Sequence, residues 1–238
     1  MTLSILEICQ DAALELSLVS PTAVAVDVND ETAEKLLRHL TRCCKQVAGR
    51  HDWQILRREH TFTTVEDPEQ TGALASDYLR MIPLSMWNRT RNRKVQGPIT
   101  PAEWQAYQAM VTSGIFDQFM IRGSSVMFTP TPSPGQTIAY EYITNAIGTD
   151  STGVTQKTRF SADTDIPYFD DELLTLGLVW RYRKSEGLDY AEEFRDFELR
   201  MAELLKMDGG RRVLDMNNER LERVPNVIAN TIEDLTSL

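Results

Sequence analysis

Two apolar stripes joined by a short glycine turn constrain the fold of this chain most. Leucine, tryptophan and tyrosine side chains recur at helical spacing over residues 168–186, and a second stripe runs over residues 190–204. Between them, Gly187 is suited to end the first helix in a left-handed conformation, and Asp189 with Glu192 is suited to start the second as a capping box. The pattern predicts a helical hairpin whose apolar face needs a further partner.

A partner for this hairpin is predicted near the start of the chain. Residues 31–48 carry an apolar stripe with acids at the N-terminal end, and residues 3–18 also have apolar side chains at three- and four-residue steps. Burial of each large apolar side chain contributes about 1.5–3 kcal/mol, so such a core can fold without metal or disulfide. The predicted bundle core contains Leu36, Leu40, Trp180, Tyr190, Phe194, Phe197 and Met201.

The middle of the chain has a different pattern. β-branched and aromatic residues predict strands over 53–65, 77–98 and 119–144. Thr100, Pro101 and Glu103 predict the start of one short helix at about 101–112, with a capping box. Residues 145–165 are rich in Gly, Ser and Thr and predict a mobile loop that leads back to the helices.

These patterns predict an α+β fold. Residues 1–52 and 166–210 form an antiparallel helical bundle, and residues 53–165 form a β-rich insertion with one short helix. Residues 211–238 form an extended C-terminal arm. Because this last segment has many apolar side chains but no sustained helical face, we expect it to dock onto another protein as a peptide that orders on binding. Its predicted docking residues are Arg211, Arg212, Val213, Leu214, Met216, Leu221, Val224, Val227, Ile228 and Leu235.

Charge and cysteine usage exclude several classes of protein. The formal net charge of −10 argues against a simple DNA- or membrane-binding module, because phosphate contacts need clustered Lys and Arg. No stretch approaches the roughly 20 apolar residues of a membrane span, and the N-terminus has no secretory signal pattern. The three cysteines lack the spacing of a disulfide framework or redox motif. We expect a protein synthesised in a cytoplasm with reduced thiols.

Few residues are candidates for a catalytic role. The acids that a hydrolase could use are Glu141, Asp170, Asp171 and Glu172, but three of them lie at a predicted helix start, where capping explains them more simply. We predict no catalytic residue, metal or cofactor. A basic cluster of Arg89, Arg91, Arg93 and Lys94 could contact either phosphate or an acidic neighbouring protein.

Several strings, in this order along the chain, resemble the head-to-tail adaptor proteins of tailed bacteriophages, also called connector or head-completion proteins. The strings are AGRHDWQILRREHTFTT (48–64), ITPAEWQAYQAM (99–110), VMFTPTPSPGQTIAYEYITN (126–145), LGLVWRYRKSEGLDYAEEFRDFE (176–198) and DGGRRVLDM (208–216). The resemblance implies a structural, non-enzymatic protein in the neck of the virion. It implies a ring of about twelve copies that joins the portal to the tail or nozzle, lines the channel used in genome ejection, and inserts its C-terminal arm into the portal.

The resemblance also implies a role in subunit assembly for the charged surface of the helical hairpin. In a ring, Glu192, Glu193 and Asp196 of one copy would meet cations of the next through a heterologous interface. The predicted cations are Arg181, Arg183 and Lys184. The expected partners are the portal, a tail or nozzle protein, further copies of the chain and, transiently, the exiting DNA, but no membrane. Two alternatives remain: a tail-associated peptidoglycan hydrolase, and a nucleic-acid-binding module that uses residues 89–94.

Overall fold

The computed structural model describes residues 3–26, 30–109 and 117–209, and this part of the chain contains helices and antiparallel strands. The five helices described are α1 (Ile5–Glu15), α2 (Glu31–Arg50), α3 (Pro101–Ala109), α4 (Asp171–Ser185) and α5 (Ala191–Asp208). The strands are β1 (Arg57–Thr63), β2 (Glu69–Gln70), β3 (Tyr78–Met81), β4 (Trp87–Asn88), β5 (Arg93–Lys94), β6 (Gln118–Arg122), β7 (Ser125–Thr129), β8 (Thr137–Thr144), β9 (Gly148–Thr149), β10 (Gln156–Lys157) and β11 (Ile166–Pro167). The α+β class is confirmed, and the predicted arm at 211–238 lies outside the described residues.

Helix α4 is the centre of the helical part. It packs against α1, α2 and α5, and α1 also packs against α2. Gly177 permits this close approach, because a Cβ at this position would overlap Cys43 Sγ of α2 and lie 3.2 Å from Phe197 Cε2 of α5. The apolar core extends beyond the helices to Trp53, Leu56 and other side chains of the predicted β-rich insertion.

Local sequence sets most of the helix starts. In α3, Thr100 Oγ1 accepts from the backbone N–H of Glu103 at 3.3 Å, and Thr100 N donates to Glu103 Oε2 at 2.7 Å, which is the predicted capping box. Ser4 and Glu7 form a second capping box at α1. Each box satisfies backbone donors that would otherwise be unpaired at the first turn.

The start of α5 differs from the prediction. Gly187 has the expected positive φ of 73°, but Tyr190 occupies the N-cap and makes no side-chain capping bond. Asp189 Oδ1 instead accepts from the N–H of Ala191 at 3.1 Å, so the predicted capping box with Glu192 does not form. The turn adds one residue before the helix begins, which moves Asp189 out of the capping position.

The largest sheet is built around β8. Strand β8 pairs antiparallel with β1, β3 and β4, and β5 extends the sheet beyond β4. A second sheet has the order β2-β7-β6, and Gly123 with φ of 60° lies in the turn between β6 and β7. A cluster of buried aromatic and aliphatic side chains, including Phe119, Phe128 and Tyr140, lies between these strands.

The prediction of a mobile loop at 145–165 is wrong. Strands β9 and β10 lie in this segment and form a small antiparallel sheet with β11, and Ala146, Ile147 and Phe160 are buried. Asp163 Oδ1 accepts from the N–H groups of Val24 and Ala25, both at 2.8 Å. The polar residues therefore bind backbone groups of the N-terminal region and hold this segment against the helices.

Candidate assembly surfaces

The predicted bundle-core residues have different degrees of burial. Leu36, Leu40, Phe197 and Met201 are fully buried, and Trp180 is almost so. The Trp180 ring lies 5.2 Å from the Phe194 ring and 6.2 Å from the Tyr190 ring, measured between centroids. Phe194 nevertheless remains 38% exposed, and Tyr190 is half-buried. The aromatic cluster therefore extends from the core to the surface of the α4–α5 hairpin.

Arg181 is buried within its own subunit. Its Nη1 donates to the carbonyl of Gly177 at 2.8 Å, its Nη2 donates to Gln46 Oε1, and its guanidinium lies 4.2 Å from the Trp180 ring centroid. Burial lowers the pKa of Arg181 from its ordinary value. The prediction that Arg181 contacts a neighbouring copy does not fit this position, because the side chain is buried and two of its donors bind inside the subunit.

The other predicted interface residues lie at or near the surface. Arg183 forms an ion pair with Glu193 at 2.7 Å within the subunit. Lys184 is exposed and lies 5.5 Å from the Tyr190 ring centroid. Glu192 and Asp196 are exposed and have no ion-pair partner within the described residues. This surface therefore offers fewer unpaired charges than its sequence indicates.

Two of the three acids at the start of α4 have side-chain partners. Asp170 Oδ2 accepts from the N–H of Leu173 at 3.0 Å, and the two Asp170 carboxylate oxygens accept from Arg200 at 3.1 Å each. Arg200 also lies 3.0 Å from Glu172. Helix capping and ion pairing explain why Asp170 and Glu172 are placed here, and no catalytic role is needed to explain them.

Glu141, the fourth acid of the hydrolase alternative, lies in a different element. It stands opposite Glu59 in the β1–β8 pair, beside a depression of about 490 Å³ that Trp87 and Tyr140 also line. Glu59 forms an ion pair with Arg89 at 2.8 Å. The structure does not bring Glu141 together with the acids of α4.

The predicted basic cluster lies on the β4–β5 hairpin. Arg89 is paired with Glu59, and Arg91 lies 3.8 Å from Asp117 and donates to Ser133 Oγ at 3.1 Å. Arg93 is exposed and Lys94 is half-buried. Because two of the four cations have carboxylate partners, the cluster is less basic than the sequence suggests.

A stronger basic surface, which was not predicted from the sequence, lies on α2. We call it the basic groove. It has a volume of about 520 Å³ and is lined by Val24, Ala25, Glu34, Leu37, Arg38, Thr41, Arg42, Lys45, Arg159 and Phe160. Among the described residues, none of its four cations lies within 4.0 Å of a carboxylate. The neighbouring His39 has a pKa lowered first by burial and then by surrounding cations, beginning with Arg42.

The signal for this groove is present in the sequence. Arg38, Arg42 and Lys45 are spaced four and three residues apart, so they share one face of a helix. Arg159 cannot be assigned to this face from the sequence, because the composition of residues 145–165 indicates a loop.

A second surface has the opposite charge, and we call it the acidic groove. It has a volume of about 510 Å³ and is lined by Leu3, Asp11, Leu14, Glu15, Asp171, Glu172, Thr175 and Leu176. Leu14 is 67% exposed between the two α1 acids. The pKa of Glu15 is raised by burial and, to a smaller extent, by Asp11.

The cysteines do not provide a reactive site. Cys9, Cys43 and Cys44 are free and buried. Burial raises the pKa of Cys9 to about 12 and that of Cys43 to about 11, so both are thiols at neutral pH. Residues 3–26, 30–109 and 117–209 contain no group of three or more His, Cys, Asp or Glu side chains that could hold a metal ion. No helix in these ranges is long and apolar enough to span a bilayer.

Comparison with known proteins supplies the family. The family model described as SU10 adaptor protein matches residues 3–223 of the chain. A search among curated proteins finds no match. The family match extends over the helices, the sheets and the first part of the C-terminal segment.

Proposed function

Because the chain belongs to the SU10 adaptor protein family, a family of phage adaptor proteins with a structural role, we propose that it forms a ring in the neck of the virion. In this proposal about twelve copies join the portal to the tail or nozzle and line the channel through which the genome leaves. The portal, the tail or nozzle protein and neighbouring copies are its partners. The ring acts by binding, without catalytic turnover.

The extent of the family match is the observation that supports this proposal best. It covers residues 3–223, which include both apolar cores and all the described helices and strands. The adaptor assignment therefore applies to the folded unit as a whole and not to a single shared module. Since function cannot be inferred from fold alone, the match supports the proposal more strongly than the α+β architecture does.

The C-terminal segment is the proposed portal contact. Residues 211–238 lie outside the described residues, so this proposal depends on their sequence. Val213, Leu214, Leu221 and Ile228 are large apolar side chains in a segment without a helical stripe. Such a segment can bury its apolar side chains in a groove of another protein. There, main-chain hydrogen bonds and side-chain pockets stabilise the bound peptide together.

The net charge fits the proposed channel. Each copy carries a formal charge of −10, and a ring multiplies this value by the number of copies. An acidic lumen would repel the phosphate backbone, so that DNA passes through with only transient contact.

Truncation after residue 210 tests the portal contact. We expect the truncated chain to keep the helical circular dichroism signal of the full chain and to lose co-sedimentation with portal rings. A full-length variant, Leu214→Ser with Leu221→Ser and Ile228→Ser, should lose binding in the same way. The matched control, Asn217→Ser with Asn218→Ser, should bind normally. Normal portal binding by the truncated chain would contradict the arm assignment.

A further inference from the structure

The basic groove combines apolar lining residues with four cations that have no ion-pair partner in the part of the chain that the structure describes. Val24, Leu37 and Phe160 line the groove, together with the cations Arg38, Arg42, Lys45 and Arg159. Glu34 is the one carboxylate among the lining residues. On a chain with a net charge of −10, this local excess of positive charge is suited to a partner that is acidic and carries an apolar side chain.

Helix α1 of the same chain presents such a surface. Its wall of the acidic groove carries Asp11 and Glu15 on either side of Leu14, whose side chain is 67% exposed. Neither acid has an ion-pair partner within the described residues. This face of α1 offers an exposed apolar side chain for the apolar lining of the basic groove and carboxylates for its cations.

Both charged surfaces are unfavourable for the isolated subunit. Arg38 and Arg42 are four residues apart, as are Asp11 and Glu15, and like charges at this spacing destabilise a helix by about 0.2–0.5 kcal/mol per pair. Glu15 is also the last residue of α1, where the helix dipole disfavours negative charge. A binding partner of opposite charge would offset these unfavourable interactions.

The two grooves share no lining residue, and they do not form ion pairs with each other inside the subunit. A contact between them must therefore join two copies through two different faces. Such a heterologous contact forms a closed ring when the rotation per copy divides the full circle. This is the type of contact that the proposed ring requires.

We propose that the α1 wall of the acidic groove of one copy, Asp11-Leu14-Glu15, binds in the basic groove of the next copy, against Arg38, Arg42, Lys45 and Arg159. This inference rests on the proposed ring and replaces Arg181 as the cationic side of the subunit contact. The occupant of the basic groove is a second copy of the chain. A phosphate backbone in the same groove is the competing outcome of the test.

Charge reversal tests the contact. One variant carries Arg38→Glu and Arg42→Glu, and the other carries Asp11→Lys and Glu15→Lys. Assembly is measured on cognate portal rings by cryo-electron microscopy and by quantitative cross-linking between copies. Each variant alone should assemble about tenfold less than the wild type, because like charges then face each other across the contact. An equimolar mixture of the two should assemble again, because every contact in an alternating ring then joins opposite charges.

Matched controls and milder variants complete the experiment. Arg122→Glu and Glu66→Lys reverse exposed charges that have no ion-pair partner in the described part of the chain, and they should assemble normally. If a reversal variant fails to fold, Arg42→Gln and Glu15→Gln should each weaken assembly while leaving the subunit folded.

The outcomes distinguish a failure of the proposed contact from a failure of the proposed ring. If each reversal variant assembles like the wild type, or if mixing the two variants does not restore assembly, the proposed contact is wrong. Neither result contradicts the proposal that the chain forms a ring. If Arg42→Gln reduces salt-dependent binding of duplex DNA but not assembly, the groove binds phosphate and the proposed contact is also wrong. A wild-type chain that forms no oligomer on the portal contradicts both the proposed function and this contact.

Discussion

Gly177→Ala should destabilise the fold although alanine favours helices. At an unconstrained interior helix position, Gly→Ala gains about 1 kcal/mol. At Gly177, however, the added Cβ would overlap the buried Cys43 Sγ and lie 3.2 Å from Phe197 Cε2. Overpacking of this kind costs about 1–3 kcal/mol, and the direct overlap places it at the upper end of that range. The net result should be a loss of about 2 kcal/mol in the free energy of unfolding.

The explanation predicts a specific rescue. Cys43→Ala removes the sulfur that the new methyl group meets, so the double variant Gly177→Ala with Cys43→Ala should be much more stable than the sum of the two single changes predicts. We expect a coupling energy of about 2 kcal/mol, which is measurable by urea denaturation followed by circular dichroism. The control is Gly49→Ala in α2, where a Cβ meets no atom within 4 Å, and it should be neutral or stabilising by up to about 1 kcal/mol. Additive effects at positions 177 and 43 would refute the close-packing argument.

Two further predictions concern charge and catalysis. Glu15→Gln should raise the stability of the subunit by about 0.5 kcal/mol at pH 7. Because burial and, to a smaller extent, Asp11 raise the folded pKa of Glu15, the wild type regains this stability as the pH falls through the folded pKa towards the ordinary value for Glu. Glu7→Gln, at the other end of the same helix, should have the opposite effect, since hydrogen bonds from Ser4 lower the pKa of Glu7, and its stabilisation is present at pH 7 and lost in acid. Thermal denaturation over a pH series that falls from pH 7 through the folded pKa of each group measures both, and equal signs for the two variants at pH 7 would contradict the explanation. In a peptidoglycan zymogram we expect no clearing by the purified chain, and clearing that disappears with Glu141→Gln would favour the hydrolase alternative.

Helices with a strong local signal could be predicted from the sequence. The stripe of α2 begins at the predicted residue, and its apolar side chains are buried as their spacing indicates. The capping box of Thr100 and Glu103 could also be predicted from the sequence, because it depends on two side chains three residues apart. Helix ends were less accurate: the apolar stripe predicts an end at residue 48, but α2 continues to Arg50.

Features that depend on distant parts of the chain could not be predicted. Residues 145–165 have the composition of a loop, but Asp163 binds backbone N–H groups of residues 24 and 25, and the sequence does not reveal that partner. Arg181 has the residue type of a surface position, yet it is buried because Gln46 and Trp180 provide partners for its guanidinium. The basic groove joins α2 to Arg159, which is more than a hundred residues away in sequence.

Cryo-electron microscopy of the full-length chain with its cognate portal and tail proteins tests the central claim most directly. We predict a closed ring of copies between the portal and the tail, with residues 211–238 in contact with portal subunits. A chain that remains monomeric with these proteins, or that binds elsewhere on the particle, would contradict the adaptor function proposed for it.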